Sequence, residues 1–265
     1  MRTALLLPLR FDATALQGDL EAVARRTWTP HFNVTFYAGD WSGLVLRGPT
    51  EAGGLYAGRA GEPHIFVDQE ILDTCAYFRH VMASFQCPLK SVRLLRLTPG
   101  SVIREHSDPD LGYEQGEVRI HVPVWTNRGV EFFLGGERIW MDEGEAWYLD
   151  LSKPHRVQNL GDSDRVHLVL DCQLNDWLQT MLESADATQP PHVKIRSSAD
   201  AFAAFQDVVL DEPVLHSRLL AFSDEQAFLA DAVSAGMERG FQFTIEDVRS
   251  ALMQARRSWM EKNII

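Results

Sequence analysis

A chain of 265 residues, 45% hydrophobic and 23% charged, is long enough for one domain of ordinary size with a real core plus a small second one, and its composition excludes disorder over most of its length. A formal net charge of −12 argues against a nucleic-acid partner, because neutralising phosphates needs a basic surface. No stretch of about 18 apolar residues spans a bilayer, and Cys75, Cys87 and Cys172 have neither the number nor the spacing of a disulfide frame or a zinc site, so reduced, partly buried thiols are expected.

The opening Met1–Arg10 lacks a small-residue cleavage site and reads as a strand rather than a signal peptide, which points to the cytoplasm. A helical pattern follows, with Leu16, Leu20 and Val23 on one face. Trp28, His31, Asn33, Trp41 and Arg47 come next; His31 and Asn33 read either as a substrate-facing pair on a strand or as hydrogen-bonded structural residues. Four glycines between Ala52 and Gly61 suggest a mobile loop, and Ile71 to Phe85 an amphipathic helix.

From Ser91 the texture changes to strands at Val92–Leu97, Val118–Trp125, Val130–Leu134, Arg138–Met141, Ala146–Leu149 and Val166–Leu170. Gly135-Gly136 is a two-residue hairpin signal, since both positions tolerate positive φ. Many short strands with tight turns mean a sandwich or barrel. Past Glu183 a polar, proline-containing stretch acts as a linker (184–197), and helices fill 198–265. Ser223 to Gln226 has capping-box form, Gly236 and Gly240 read as helix-ending glycines, and Thr244 caps a last helix through Trp259.

Chemistry concentrates in His106-Ser-Asp108, followed much later by His155 and then Arg165. Residues two apart on a strand share a side, so His106 and Asp108 can converge on one ion, and His155 closes the set if its segment is a neighbour. Two imidazoles and a carboxylate can occupy one face of iron(II) and leave the other open. Zinc accepts the same ligands, and in a chain with nine histidines a His-x-Asp pair by itself is more often a surface turn.

Two strands alternate strictly. Arg119, His121 and Trp125 oppose Ile120, Val122 and Val124, and Arg165 and His167 oppose Val166 and Leu168. The basic faces either edge into solvent or line a barrel that holds an anionic guest; two basic residues on each strand favour the barrel. Arg104 beside the metal strand is a further candidate for substrate contact, whereas His64, His80, His192 and His216 lack partners at ligand spacing.

With those residues in place, Ser91 to Trp177 resembles the aspartyl/asparaginyl β-hydroxylase family of iron(II) and 2-oxoglutarate dioxygenases, which includes bacterial free-proline hydroxylases. The matching runs are Leu97-Thr-Pro-Gly100, His106-Ser-Asp108, Val118-Arg-Ile-His121, Gly144 to Asp150, Pro154-His155 and Arg165 to Asp171. The resemblance implies a mainly β fold: a double-stranded β-helix (jelly-roll, cupin-like) domain over 1–183 with a small α-helical domain behind it. It implies iron on His106, Asp108 and His155, and 2-oxoglutarate on Arg165 assisted by His121 and Arg119, with O2 as oxidant and succinate as co-product. A carboxylate at Asp108 favours hydroxylation over halogenation, because a halide would need that coordination position.

The segment from Asp200 to Leu252, with Phe202-Ala-Ala-Phe205, Asp211 to Leu215 and Gly240 to Val248, is similar to the Nif-eleven-like domain of leader peptides. The expected activity is hydroxylation of an amino-acid side chain: first the β-carbon of Asp or Asn in a peptide, then a free amino acid such as proline. A leader peptide held by the C-terminal helices is an expected partner; a non-catalytic, metal-containing peptide-binding module is the alternative of a different class.

Overall fold

The computed structural model describes residues 1–50, 65–188, 198–239, 241 and 243–263. The expected glycine loop of Ala52 to Gly61 lies outside these residues. The chain divides into two compact units, Met1–Pro190 and Pro191–Ile265.

The first unit runs β1 (Ala4–Arg10), α1 (Ala13–Val23), β2 (Thr29–Pro30), β3 (Tyr37–Ala38), β4 (Trp41–Pro49), β5 (Phe66–Asp68), α2 (Ala76–Ala83), β6 (Leu89–Leu97), β7 (Val102–His106), β8 (Glu117–Trp125), β9 (Val130–Leu134), β10 (Glu137–Arg138), β11 (Glu145–Leu149), β12 (His155–Asn159), β13 (Arg165–Gln173) and α3 (Asp176–Thr188). The larger sheet has the order β1-β11-β8-β13-β6-β4-β2, with β5 on β4, and the smaller one β10-β9-β12-β7-β3. Every pairing is antiparallel. From β6 onward the chain crosses from one sheet to the other at nearly every connection, which is the winding of a double-stranded β-helix.

The strand alternation explains where the two cores lie. Ile120, Val122 and Val124 of β8 and Val166, Leu168 and Leu170 of β13 join Leu16 and Leu20 of α1, Phe78 and Val81 of α2 and Leu178 and Leu182 of α3 in a core outside the barrel. Each such side chain contributes roughly 1.5–3 kcal/mol on burial. Between the sheets a second core holds Trp41, Leu97, Ile103, Phe132, Leu134, Trp147 and Leu149. The polar faces of β8 and β13 therefore point into the barrel, where Arg165, His121, His167 and Asp171 are buried.

Local chemistry fixes the connections. Gly135 and Gly136 take φ of 59° and 86° and turn β9 into β10. Gly144 has φ +76°, and a Cβ there would meet the Phe11 carbonyl oxygen at 2.1 Å. That closeness lets Phe11 N donate to Gly144 O and Gly144 N donate to Pro123 O, tying the ends of three segments together.

Several expected boundaries move. The helix of Ile71 to Phe85 begins as a 3-10 turn over Glu70–Thr74 and becomes α-helical only at Ala76. The strand expected through Met141 shortens to Glu137–Arg138. Helix α3 continues to Thr188, so Ser184–Thr188 is helical rather than linker, because Leu178, Leu182 and Ala185 keep one apolar stripe on the core.

The second unit consists of α4 (Ser198–Asp211), α5 (Pro213–Leu220), α6 (Glu225–Glu238) and α7 (Ile245–Asn263) around Phe202, Phe205, Leu215, Leu229, Phe243 and Val248. Asp224, not Ser223, caps α6 through Ala227 N at 2.8 Å. Thr244 and Asp247 cap α7 reciprocally. Gly236 does not end a helix but lies inside α6, where a Cβ would strike the Phe243 ring at 2.3 Å; Gly240 lies outside the described residues. Among the described residues no helix is long and apolar enough to cross a membrane.

Candidate metal and co-substrate site

His106 ends β7 and His155 begins β12, and the two are register partners across the pair. Asp108 is not on the strand, as a shared strand face would require, but just past its end, where its N–H donates to Leu151 O at 2.8 Å. That bond ties the turn after β7 to the segment before β12. One ligand atom from each of His106, Asp108 and His155 lies within 4.8 Å of the others, a spacing that fits one ion.

The tautomers fit a metal as well. His106 Nδ1 donates to Arg104 O at 2.7 Å, and His155 Nδ1 donates to Lys153 O at 3.0 Å. Each Nε2 is left as a bare lone pair. Burial lowers the His155 pKa, partly opposed by its bond to Lys153 O, so that lone pair stays unprotonated.

Deeper in the barrel, Arg165 opens β13 with its guanidinium buried. No carboxylate among the described residues pairs with it; its Nη2 donates to His167 Nδ1 at 2.9 Å, and its Nε has no partner. Burial alone pulls its pKa down to about 9. His121 lies beside this pair, its Nδ1 3.3 Å from His167 Nδ1 and its own Nε2 buried without a partner. An isolated buried cation is costly, so the arrangement fits an anion that supplies the missing charge and hydrogen bonds. One planar carboxylate end of a dicarboxylate such as 2-oxoglutarate supplies the charge and accepts from the guanidinium.

Arg119 does not join that pocket. Its Nε and Nη2 donate to the two oxygens of Asp171 at 2.6 and 3.1 Å, and its Nη1 donates to Asp108 Oδ2 at 3.1 Å. A guanidinium spent on two carboxylates is not free for a third, which sets Arg119 apart from Arg165. Burial pushes the Asp171 carboxyl up, but Arg119 and Arg93, whose Nη2 donates to Asp171 at 2.6 Å, outweigh it and hold the pKa below the ordinary value. Nothing in the sequence marks Arg93 as a site residue, and Asp171 enters the sequence reading only as the end of the Arg165 to Asp171 run. The signal for Asp171 was present, since it continues the every-second-residue polar face of Arg165 and His167.

The segment before β4 forms an aromatic wall beside the metal residues. Trp41 stacks on His31 at 3.6 Å between centroids, and Phe36 stacks on His106 at 4.8 Å. His31 follows β2 rather than lying on a strand, and its pKa falls to about 3 through burial and the nearby Arg93 and Arg119. Trp41 Nε1 is buried without a partner. Asn33 and Arg104 instead hold the turn, Asn33 Oδ1 accepting from Thr35 Oγ1 at 2.7 Å and Arg104 Nη1 donating to Thr35 O at 2.5 Å. Arg47 pairs with Asp68 at 2.6 Å, and Trp28 lies under the Arg96 guanidinium. His80 lies on α2 and His216 on α5, and neither belongs to the clustered ligand set, while His64 and His192 are outside the described residues.

A double-stranded β-helix with two histidines and one carboxylate gathered at the rim of its smaller sheet has the form of a mononuclear metalloenzyme. The chain belongs to the aspartyl/asparaginyl beta-hydroxylase family, whose model matches residues 13–174. It is an iron(II)- and 2-oxoglutarate-dependent hydroxylase that uses O2. It is similar to the L-proline cis-4-hydroxylase of Rhizobium meliloti (strain 1021), 24% identical over 220 residues that cover 80% of this chain and 74% of that protein. Among solved structures it resembles an oxidoreductase of the 2OG-Fe(II) oxygenase family from Burkholderia pseudomallei, with TM-score 0.45, 18% identity, and 64% and 85% of the two chains covered. HygX from Streptomyces hygroscopicus, solved with nickel and 2-oxoglutarate bound, matches with TM-score 0.43 and 12% identity over 66% of this chain and 84% of that one.

Proposed function

We propose that this hydroxylase acts on a free amino acid of the proline kind, with iron held by His106, Asp108 and His155 and the far carboxylate of 2-oxoglutarate held by Arg165 beside His121. The observation that carries the co-substrate assignment is the buried Arg165 guanidinium, which has no carboxylate partner among the described residues. The choice of a free amino acid over an Asp or Asn residue in a peptide is supported by the similarity to a proline hydroxylase.

Iron and 2-oxoglutarate, when bound, would supply the oxidising chemistry, 2-oxoglutarate losing one carboxyl as CO2 while one oxygen atom of O2 goes to the substrate and the other to succinate. The chain supplies position and dryness. Backbone carbonyls hold the Nδ1–H groups of His106 and His155, so in each neutral ring Nε2 is the atom left with the lone pair. Arg119 steadies Asp108, and the wall of Trp41, His31 and Phe36 offers an apolar and hydrogen-bonding surface to a small substrate beside the metal. No side chain is required as a general base.

The test is mass spectrometry of free amino acids and Asp- or Asn-containing peptides incubated with protein, iron(II), ascorbate and 2-oxoglutarate. A gain of one oxygen on free proline or a near analogue, with matching succinate, is the expected result. Oxygen gained only on peptides would replace the substrate assignment. In that case a chain ending after Pro190 would show whether the helical unit, proposed as a leader-peptide-like recruiter, is needed for peptide turnover.

A further inference from the structure

The hydrogen-bond chain at the bottom of the barrel fixes where its protons sit. Arg165 can only donate, so His167 Nδ1, 2.9 Å from Arg165 Nη2, is an acceptor and the His167 proton is on Nε2. His121 Nδ1 lies 3.3 Å from that same acceptor, and contact there is attractive only if His121 Nδ1 carries a hydrogen. His121 Nε2 is then a bare lone pair. It is buried and has no partner, as does the Arg165 Nε–H. The pocket thus offers one orphaned donor and one orphaned acceptor, and an ionised carboxylate satisfies only the donor. Against His121 Nε2 it would set lone pair against lone pair.

We propose that the far carboxylate of 2-oxoglutarate enters the barrel together with one proton from solvent, which is held on His121 Nε2 and donated to that carboxylate. This rests on the reading of Arg165 as the co-substrate cation. The proton adds to the lone pair without any other bond breaking, and His121 becomes an imidazolium that donates at both nitrogens.

The surrounding charges explain why the proton arrives with the guest. The charged and titratable groups whose fields reach His121 are Arg119 on its own strand, Arg165 on β13, Arg93 on β6 and His155 on β12, and His167 of β13 touches it. Burial first, and then chiefly the guanidinium groups of Arg165, Arg119 and Arg93, hold the His121 pKa well below the ordinary value before a guest binds. A dianion placed among them reverses the sign of the field at His121 and favours the charged form. His167 cannot serve instead, because its Nδ1 is occupied by Arg165.

The test is calorimetric titration of 2-oxoglutarate into zinc-loaded protein without oxygen, at about pH 7.5, in buffers of different ionisation heat. At that pH both carboxylates of 2-oxoglutarate are already ionised, so any proton taken up comes from the buffer. The expected slope of heat against buffer ionisation enthalpy corresponds to about one proton taken up, and affinity should fall about tenfold per pH unit between roughly pH 6.5 and 8. In His121→Asn, whose amide donates without titrating, the slope should drop to about zero and the affinity should become flat with pH. Binding by the unaltered protein with no proton uptake overturns the proposal while leaving the co-substrate assignment standing, as does an unchanged slope in His121→Asn. Absence of any 2-oxoglutarate binding overturns the co-substrate assignment, and the proton with it.

Discussion

His106 and His155 face each other as register partners on adjacent antiparallel strands, their ring centroids 4.3 Å apart. A metal centre built this way depends on the pairing of β7 with β12 as much as on the residues themselves, since a one-residue slip would send one ring to the opposite face.

His155→Ala and Asp108→Ala should each reduce affinity for iron(II), or for cobalt(II) as a spectroscopic probe, by at least about 100-fold. Both should leave far-UV dichroism unchanged. Unchanged metal affinity in either variant would mean that the ion lies elsewhere.

Arg165 should show opposite effects on function and on stability. Removing a buried charge that pairs with a bound partner costs about 2–5 kcal/mol of binding, so Arg165→Met should raise the KM for 2-oxoglutarate by about 30-fold or more with metal affinity intact. The same change relieves a burial cost great enough to bring the guanidinium pKa down to about 9, so Tm of the ligand-free protein should rise. An unaltered KM would refute the assignment.

The bonds of Arg119 to Asp108 and Asp171 predict that it acts through Asp108. Arg119→Ala should weaken metal binding about 10–100-fold with a smaller effect on the 2-oxoglutarate KM measured at saturating metal. Asp171→Asn, which leaves Arg119 less firmly held, should give a weaker version of the same loss. If Arg119→Ala instead raised the 2-oxoglutarate KM alone, Arg119 would be a co-substrate residue after all.

Buried neutral histidines make the ligand-free protein sensitive to mild acid. His121 and His167 are held well below their ordinary value of 6.5, chiefly by burial. The unfolded chain therefore binds protons that the folded one refuses. Stability is complete above about pH 6.5 and falls as pH drops below it, by about 1.4 kcal/mol per pH unit for each histidine. Urea denaturation of metal-free protein at pH 7.5 and 5.5 measures this, and equal midpoints would show that these imidazoles protonate freely in the fold.

Much of the fold could be read where period and burial agree. The alternation in β8 and β13 announced both the sheet and its polar face, and Gly135-Gly136 announced a hairpin because few other residues accept positive φ at both positions. The strands β4, β7 and β12 were harder. Val102–His106 and His155–Asn159 are short, and a candidate metal ligand ends the first and begins the second, so their sequences lack the apolar alternation that marks a strand. Similarly, Ser184–Thr188 reads as linker by composition and is helical because α3 continues to pack.

The sequence by itself marked the candidate ligands and the family, since two imidazoles, one carboxylate and a later arginine stand inside motifs that resemble a hydroxylase family, although zinc accepts the same three ligand types. Tertiary structure decided the division of labour among the cations. Arg119 and Arg165 look alike in sequence, each on a basic strand face two residues from a histidine. Strand register sets Asp171 opposite Arg119 and leaves Arg165 without a carboxylate partner among the described residues. Whether a guanidinium is neutralised or available depends on what lies within a few ångströms of it, and the pairing of distant strands fixes that distance.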